Sequence, residues 1–79
     1  MHKSIYWKSE ALQIIRAAKA RKGLDWNEVA RRLNNNYDMD IDAKGLSAKI
    51  SQGTFSFVFA LQVLSSMGVE SIEIPLNTE

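Results

Sequence analysis

Residues 25–53, DWNEVARRLNNNYDMDIDAKGLSAKISQG, hold two short helical patterns around a polar, alternating segment, and this stretch decides the fold. Asp25 reads as an N-cap with Glu28 three residues later, because a side-chain acceptor can satisfy an orphan N–H of the first turn. Trp26, Val29, Ala30 and Leu33 then recur at the spacing of one helix face. Asn34-Asn35-Asn36 is expected to end that helix, since Asn tolerates left-handed backbone and competes for helical hydrogen bonds. Tyr37, Met39 and Ile41 alternate with Asp38, Asp40 and Asp42, the pattern of a short extended segment with wet carboxylates. Either Asp40 or Asp42 can cap a third helix, in which Ala43, Leu46 and Ile50 form a narrow apolar stripe ending at Gly53. Gly45 costs up to about 1 kcal/mol relative to Ala within a helix, so the third helix is expected to start there rather than earlier.

Working outward, Trp7 to Lys22 contains no Gly or Pro, and Ala11, Ile14, Ile15 and Ala18 fall on one face with Leu12 beside them. Lys19, Arg21 and Lys22 crowd its last turn, where cations suit the helix dipole, and Gly23 follows as a stop. A fourth helix, capped by Thr54 or Ser56, is expected to run to about Ser66 and stop at Gly68. Phe57, Val58, Phe59, Ala60, Leu61, Val63 and Leu64 leave it almost no polar face, so it is either central or shared with a second chain. Val69 to Leu76 alternates Ile72, Ile74 and Leu76 with Ser71 and Glu73, a strand pattern closed by Pro75. Such a strand needs a partner, either the Lys3–Trp7 segment or its own copy in another molecule. The expected fold is therefore all-α: one domain over 1–79, a compact bundle of four to five helices with a core at about 8–68. It includes a helix-turn-helix with a lengthened turn, and 69–79 forms a short C-terminal β-strand and tail.

The chain has 79 residues and no cysteine, which excludes disulfides, thiol catalysis and zinc fingers. Its single histidine, His2, is a poor start for a metal cluster or a catalytic triad. Asp38, Asp40 and Asp42 resemble the opening of a calcium loop. The sixth and twelfth positions, however, hold Ala43 and Lys49 instead of Gly and Glu. No Gly-rich phosphate cradle and no nucleophile elbow are present. The expectation is a protein that is not an enzyme, without cofactor, metal or small-molecule substrate. No apolar run approaches the ~20 residues of a membrane span and no signal peptide opens the chain, so the expected location is cytoplasmic.

A net charge of +1 conceals an asymmetry. Residues 1–35 hold eight basic and three acidic side chains, and the remainder holds two basic and six acidic. A polyanion would be attracted to one side only. A helix pair with one helix bracing and the other carrying a small polar face is what a helix-turn-helix presents to the ~12 Å major groove of double-stranded DNA. Lys44, Ser47, Ala48, Lys49, Ser51 and Gln52 are the candidates for base contact. Lys19, Arg21, Lys22, Arg31 and Arg32 are the candidates for phosphate contact. Gln52 can pair with adenine or meet the DNA backbone. The interval Asn34–Asp42 exceeds the roughly three to four residues of the usual turn. A dimer interface is expected from Val58, Phe59, Val63, Ile72 and Ile74.

The run Trp26–Leu33, the lengthened turn and Leu46–Phe57, followed by Leu61-Gln62 and Met67-Gly68, resembles a family of short bacterial proteins described only as a domain of unknown function. The resemblance covers residues 8–72, and its most distinctive part is Lys49-Ile50-Ser51-Gln52-Gly53-Thr54-Phe55-Ser56. That family is similar in turn to the lambda-repressor and Cro class of helix-turn-helix proteins. This implies a compact helical bundle and DNA binding, often as dimers. Where the family usually carries a basic residue before the Gly, this chain has Gln52. The expected function is a small DNA-binding transcriptional regulator acting as a homodimer. The alternative is a protein-interaction module, for instance a phage or plasmid factor binding a host protein, that kept the fold without DNA binding.

Overall fold

The computed structural model describes residues 3–74, with side chains from Tyr6 onward. Four helices make up the described fold: α1 (Lys3–Lys22), α2 (Trp26–Tyr37), α3 (Ala43–Gln52) and α4 (Phe57–Ser66). α2 lies against α3 and α4, and α1 lies against the same two, whereas α1 and α2, like α3 and α4, are not side by side. The chain thus closes a ring in the order α1, α3, α2, α4 around one core. Ile15 and Ala18 enter it from α1, Val29, Ala30 and Leu33 from α2, Leu46 and Ile50 from α3, and Phe59, Ala60, Val63 and Leu64 from α4. Met67 closes the end. Leu46 and Ile50 are fully enclosed, so truncating either to Ala costs about 2–5 kcal/mol and frees α3 from its support.

Local chemistry sets the helix ends. Asp25 accepts from the Glu28 N–H at 2.8 Å, Asp42 from the Gly45 N–H at 2.7 Å and Ser56 from the Phe59 N–H at 3.0 Å. Each satisfies one orphan donor, which is typically worth ~1 kcal/mol. Gly23, at φ 66, ends α1 with two bonds: its own N–H donates to Ala20 O and the Leu24 N–H donates to Lys19 O. Gly68, at φ 80, ends α4 the same way through Ser65 O and Leu64 O.

Several boundaries differ from those expected. α1 starts at Lys3, so Ile5 and Trp7 belong to a helix and do not offer a strand edge. α2 runs through the three asparagines to Tyr37, and the residue that stops it is Asp38, in the left-handed region at φ 57. The turn is therefore the five residues 38–42, and α3 begins before Gly45, at Ala43. The described residues contain neither a fifth helix nor a strand: 69–74 has no regular structure, with Val69 and Ile72 packed against the core as single side chains. With the Lys3–Trp7 segment helical, no edge exists within the described chain for that tail to pair with. Pro75 and Leu76, the expected end of the strand, and His2 lie outside the described residues. No described helix is long and apolar enough to cross a membrane.

Candidate nucleic-acid interface

The candidate site is built on the α2–turn–α3 corner. Because α2 outlasts its asparagines, Asn34 is still helical and half-buried when the chain returns past it. Its amide Nδ2 donates to Ile41 O at 2.8 Å, and its Oδ1 accepts from the Ile41 N–H at 3.0 Å. One side chain thereby pairs with both backbone groups of Ile41, the kind of bonds that a neighbouring strand would have given it. Met39 and Ile41 pack on the core from this segment, and Asp42 then caps α3. The corner is fixed by side-chain chemistry at both ends.

α3 is held from one side only. Leu46 and Ile50 are buried, Ser47 is half-buried, and Lys44, Gly45, Ala48, Lys49, Ser51 and Gln52 are exposed. The six base-contact candidates thus share the outward part of one helix, with five of them exposed. The Lys49 ammonium lies 4.9 Å above the Phe59 ring, a cation–π contact that orders the side chain but leaves its charge at the surface.

The phosphate-contact candidates do not gather around α3. Lys19 donates to Leu24 O at 3.3 Å and sits 5.0 Å above the Trp26 ring, closing the α1–α2 corner. Arg31 and Arg32 both bond the Glu28 carboxylate, Arg32 at 2.8 Å, and Arg32 also donates to Ser66 O at 3.2 Å. Arg32 therefore fastens α2 to the C-terminal end of α4, where a cation also meets the negative pole of that helix. Hydrogen bonds from Arg31 and then Arg32 hold the Glu28 carboxyl down at about 2. Lys22 reaches toward Gly68 at the same end of α4, and Arg21 is exposed.

A different cation stands beside α3. Arg16 of α1 donates to the Ser51 hydroxyl at 3.0 Å, and Lys8, a little over two turns earlier, packs its backbone and Cβ directly on Gly53. Reading the chain alone missed Arg16 because its partner is 35 residues away and no local pattern links them. Asp38, Asp40 and Asp42 precede the N-terminus of α3 with Lys44 in the first turn beside them, while Lys49 and the Arg16–Ser51 pair occupy its C-terminal half, which has no acidic group of its own.

The dimer-interface candidates also separate. Phe59 and Val63 are enclosed in the chain's own core, Ile72 is half-buried, and Val58 and Ile74 are exposed. The exposed apolar side of α4 is Phe57, Val58 and Leu61.

Residues 7–72 match the family described as Domain of unknown function (DUF6471), and the chain belongs to that family. No curated protein is similar to it. No solved structure matches it.

Proposed function

We propose that this member of a family without an assigned role is a small DNA-binding protein of the helix-turn-helix type, resembling the lambda-repressor and Cro class, and that it regulates transcription as a homodimer. The observation that carries this reading is the uncovered face of α3. Lys44, Ala48, Lys49, Ser51 and Gln52 project from a helix whose other side is locked by Leu46 and Ile50. A rigid cylinder carrying short polar groups, a methyl and two ammonium groups fits a major groove better than it fits a protein core. The three aspartates repel phosphates at the N-terminal end, where Lys44 offsets one of them, so the phosphate contacts of this reading fall at the C-terminal half, from Lys49 and Arg16, whereas the usual recognition helix leads with its N-terminal residues. Lys19 and Arg32 serve the fold, and Arg21 is an outlying phosphate contact.

Fluorescence anisotropy with labelled duplex DNA tests the reading. Binding should weaken steeply between about 50 and 200 mM salt, as counterion release requires. Lys49→Glu and Arg16→Glu should each weaken it, and Asp40→Asn should strengthen it regardless of sequence. Absence of binding at ~50 mM salt overturns the proposal. A second reading, an interaction module that binds a protein, draws on the Glu28 carboxylate that pairs with two of the candidate arginines. Under that reading the α3 face meets an acidic protein surface, and capture of a partner persists after nuclease treatment.

A further inference from the structure

The outward side of α4, together with Trp7 of α1 and Ile74 of the tail beside Phe57, carries more apolar surface than an isolated chain needs. Phe57 is 66% exposed, Val58 64%, Leu61 47%, Trp7 41% and Ile74 40%. Beside them runs a groove of about 460 Å³ between α1, α4 and the 69–74 segment. Its walls include Trp7, Ile14, Phe55, Leu64, Ile72 and Ile74, with Glu10 and Ser56 as its polar members. Phe57 lines the groove and projects from it, so one surface bears both an aromatic knob and an apolar hole. A two-fold axis mates such a surface with itself, each copy's knob entering the other's hole.

We infer that a second copy of this chain occupies this face. Phe57 inserts into the partner's groove, and Val58 and Leu61 pack near the axis. The inference gives a surface to the homodimer of the proposed reading, but it stands on the apolar face alone and does not require DNA. The area is sufficient. Taking aromatic side chains at 150–250 Å² and aliphatic ones somewhat below that, the five exposures sum to roughly 500 Å² of apolar surface per chain. In homodimers about 65% of the buried surface is apolar, so this patch with its polar rim corresponds to roughly 800 Å² per partner, the usual size of a stable interface. A chain of 79 residues without disulfides also has reason to extend its core across an interface.

Sedimentation equilibrium on the full chain tests the inference, with Phe57→Glu and Val58→Glu as variants. Both positions are exposed in the protomer, and circular dichroism checks that each variant keeps its helices. Wild type should sediment at twice the 8.9 kDa chain mass. Either variant should raise the dimer Kd by about 100-fold or more, because a buried, unpaired carboxylate enters the interface twice. If Phe57→Glu fails to fold, Val58→Glu carries the comparison. If both fail, Ala48→Cys and Val58→Cys replace them, the chain having no other cysteine. Oxidation should then cross-link the α4 variant and spare the α3 variant. A wild type that stays monomeric at roughly 100 µM, or a dimer indifferent to the α4 changes, overturns the inference. DNA binding is read separately. A dimer without DNA affinity leaves the interface standing and removes the proposed function, and a monomer that binds DNA does the reverse.

Discussion

Asn34 gives the most direct handle on the corner that presents α3. Replacing it with Ala removes two hydrogen bonds, of 2.8 and 3.0 Å, and strips the Ile41 carbonyl and N–H of the partners Asn34 gives them, the only ones among the described residues. Each bond is worth about 0.5–1.5 kcal/mol net, and the partial burial of the site limits how well water substitutes. Asn34→Ala should therefore cost about 1–3 kcal/mol. For a domain this small, that lowers Tm by roughly 5–20 °C. Urea unfolding followed by tryptophan fluorescence measures it, and an unchanged m-value would show that the native fold is kept. Asn34→Asp adds a check on mechanism. The introduced carboxylate still accepts from the Ile41 N–H but faces the Ile41 carbonyl with no proton to donate. The folded protein therefore prefers the protonated form, which raises the pKa of the new group above its unfolded value of about 3.9. Its stability deficit should be largest at neutral pH and shrink as pH falls through the raised value toward about 4. An Asn34→Ala protein within about 0.5 kcal/mol of wild type would refute the reasoning, because the turn would then be held by something other than this side chain.

Three further outcomes follow from the same geometry. Gly53→Ala should cost about 3 kcal/mol or more, since a Cβ there would stand 2.9 Å from the Lys8 backbone oxygen at φ 68; Gly23→Ala, equally left-handed at φ 66 but with open space around it, should cost only about 1–2 kcal/mol in a parallel urea titration. Asp38→Gly should stabilise the protein by about 0.5–1 kcal/mol in thermal melts, because it relieves the left-handed strain at φ 57 of a residue with a side chain. Glu28 contributes stability that is fully present above its unfolded pKa near 4.5 and is lost as pH falls through about 2, so Glu28→Gln should flatten the acid limb of a stability-against-pH curve in that window.

Much of the bundle was legible in the sequence because its signals are local. The cap at Asp25, the stop at Gly23 and the stripe Leu46–Ile50 each depend on residues within one or two turns, and each lies where the pattern places it. Signals that depend on distant partners misled. The three asparagines resemble a helix end, yet Asn34 is more useful inside the helix, where its amide can serve Ile41. Alternating Ile72 and Ile74 suggests a strand, but a strand exists only with a hydrogen-bonding partner, and the segment that could have supplied one is the first turns of α1. α4 defeats periodicity altogether, because nearly every position is apolar. Only packing separates Phe59 and Val63, which face inward, from Phe57, Val58 and Leu61, which do not. At the candidate site the outward face of α3 could be read from spacing. Its neighbouring cation could not: the charge excess of residues 1–35 points to Lys19 and Arg32, which hold corners of the fold, and to Arg31, which pairs with Glu28 within α2, while Arg16 reaches α3 unannounced.

The central claim is that α3 is the surface that meets DNA. Its most direct test is a nitrogen–proton correlation titration of the labelled 79-residue chain with a short duplex at low salt. Resonances of Lys44, Ala48, Lys49, Ser51 and Gln52, with the Arg16 guanidinium, should shift together and return as salt is raised. Shifts confined to α4 and the groove beside it, or none at all, would contradict the claim.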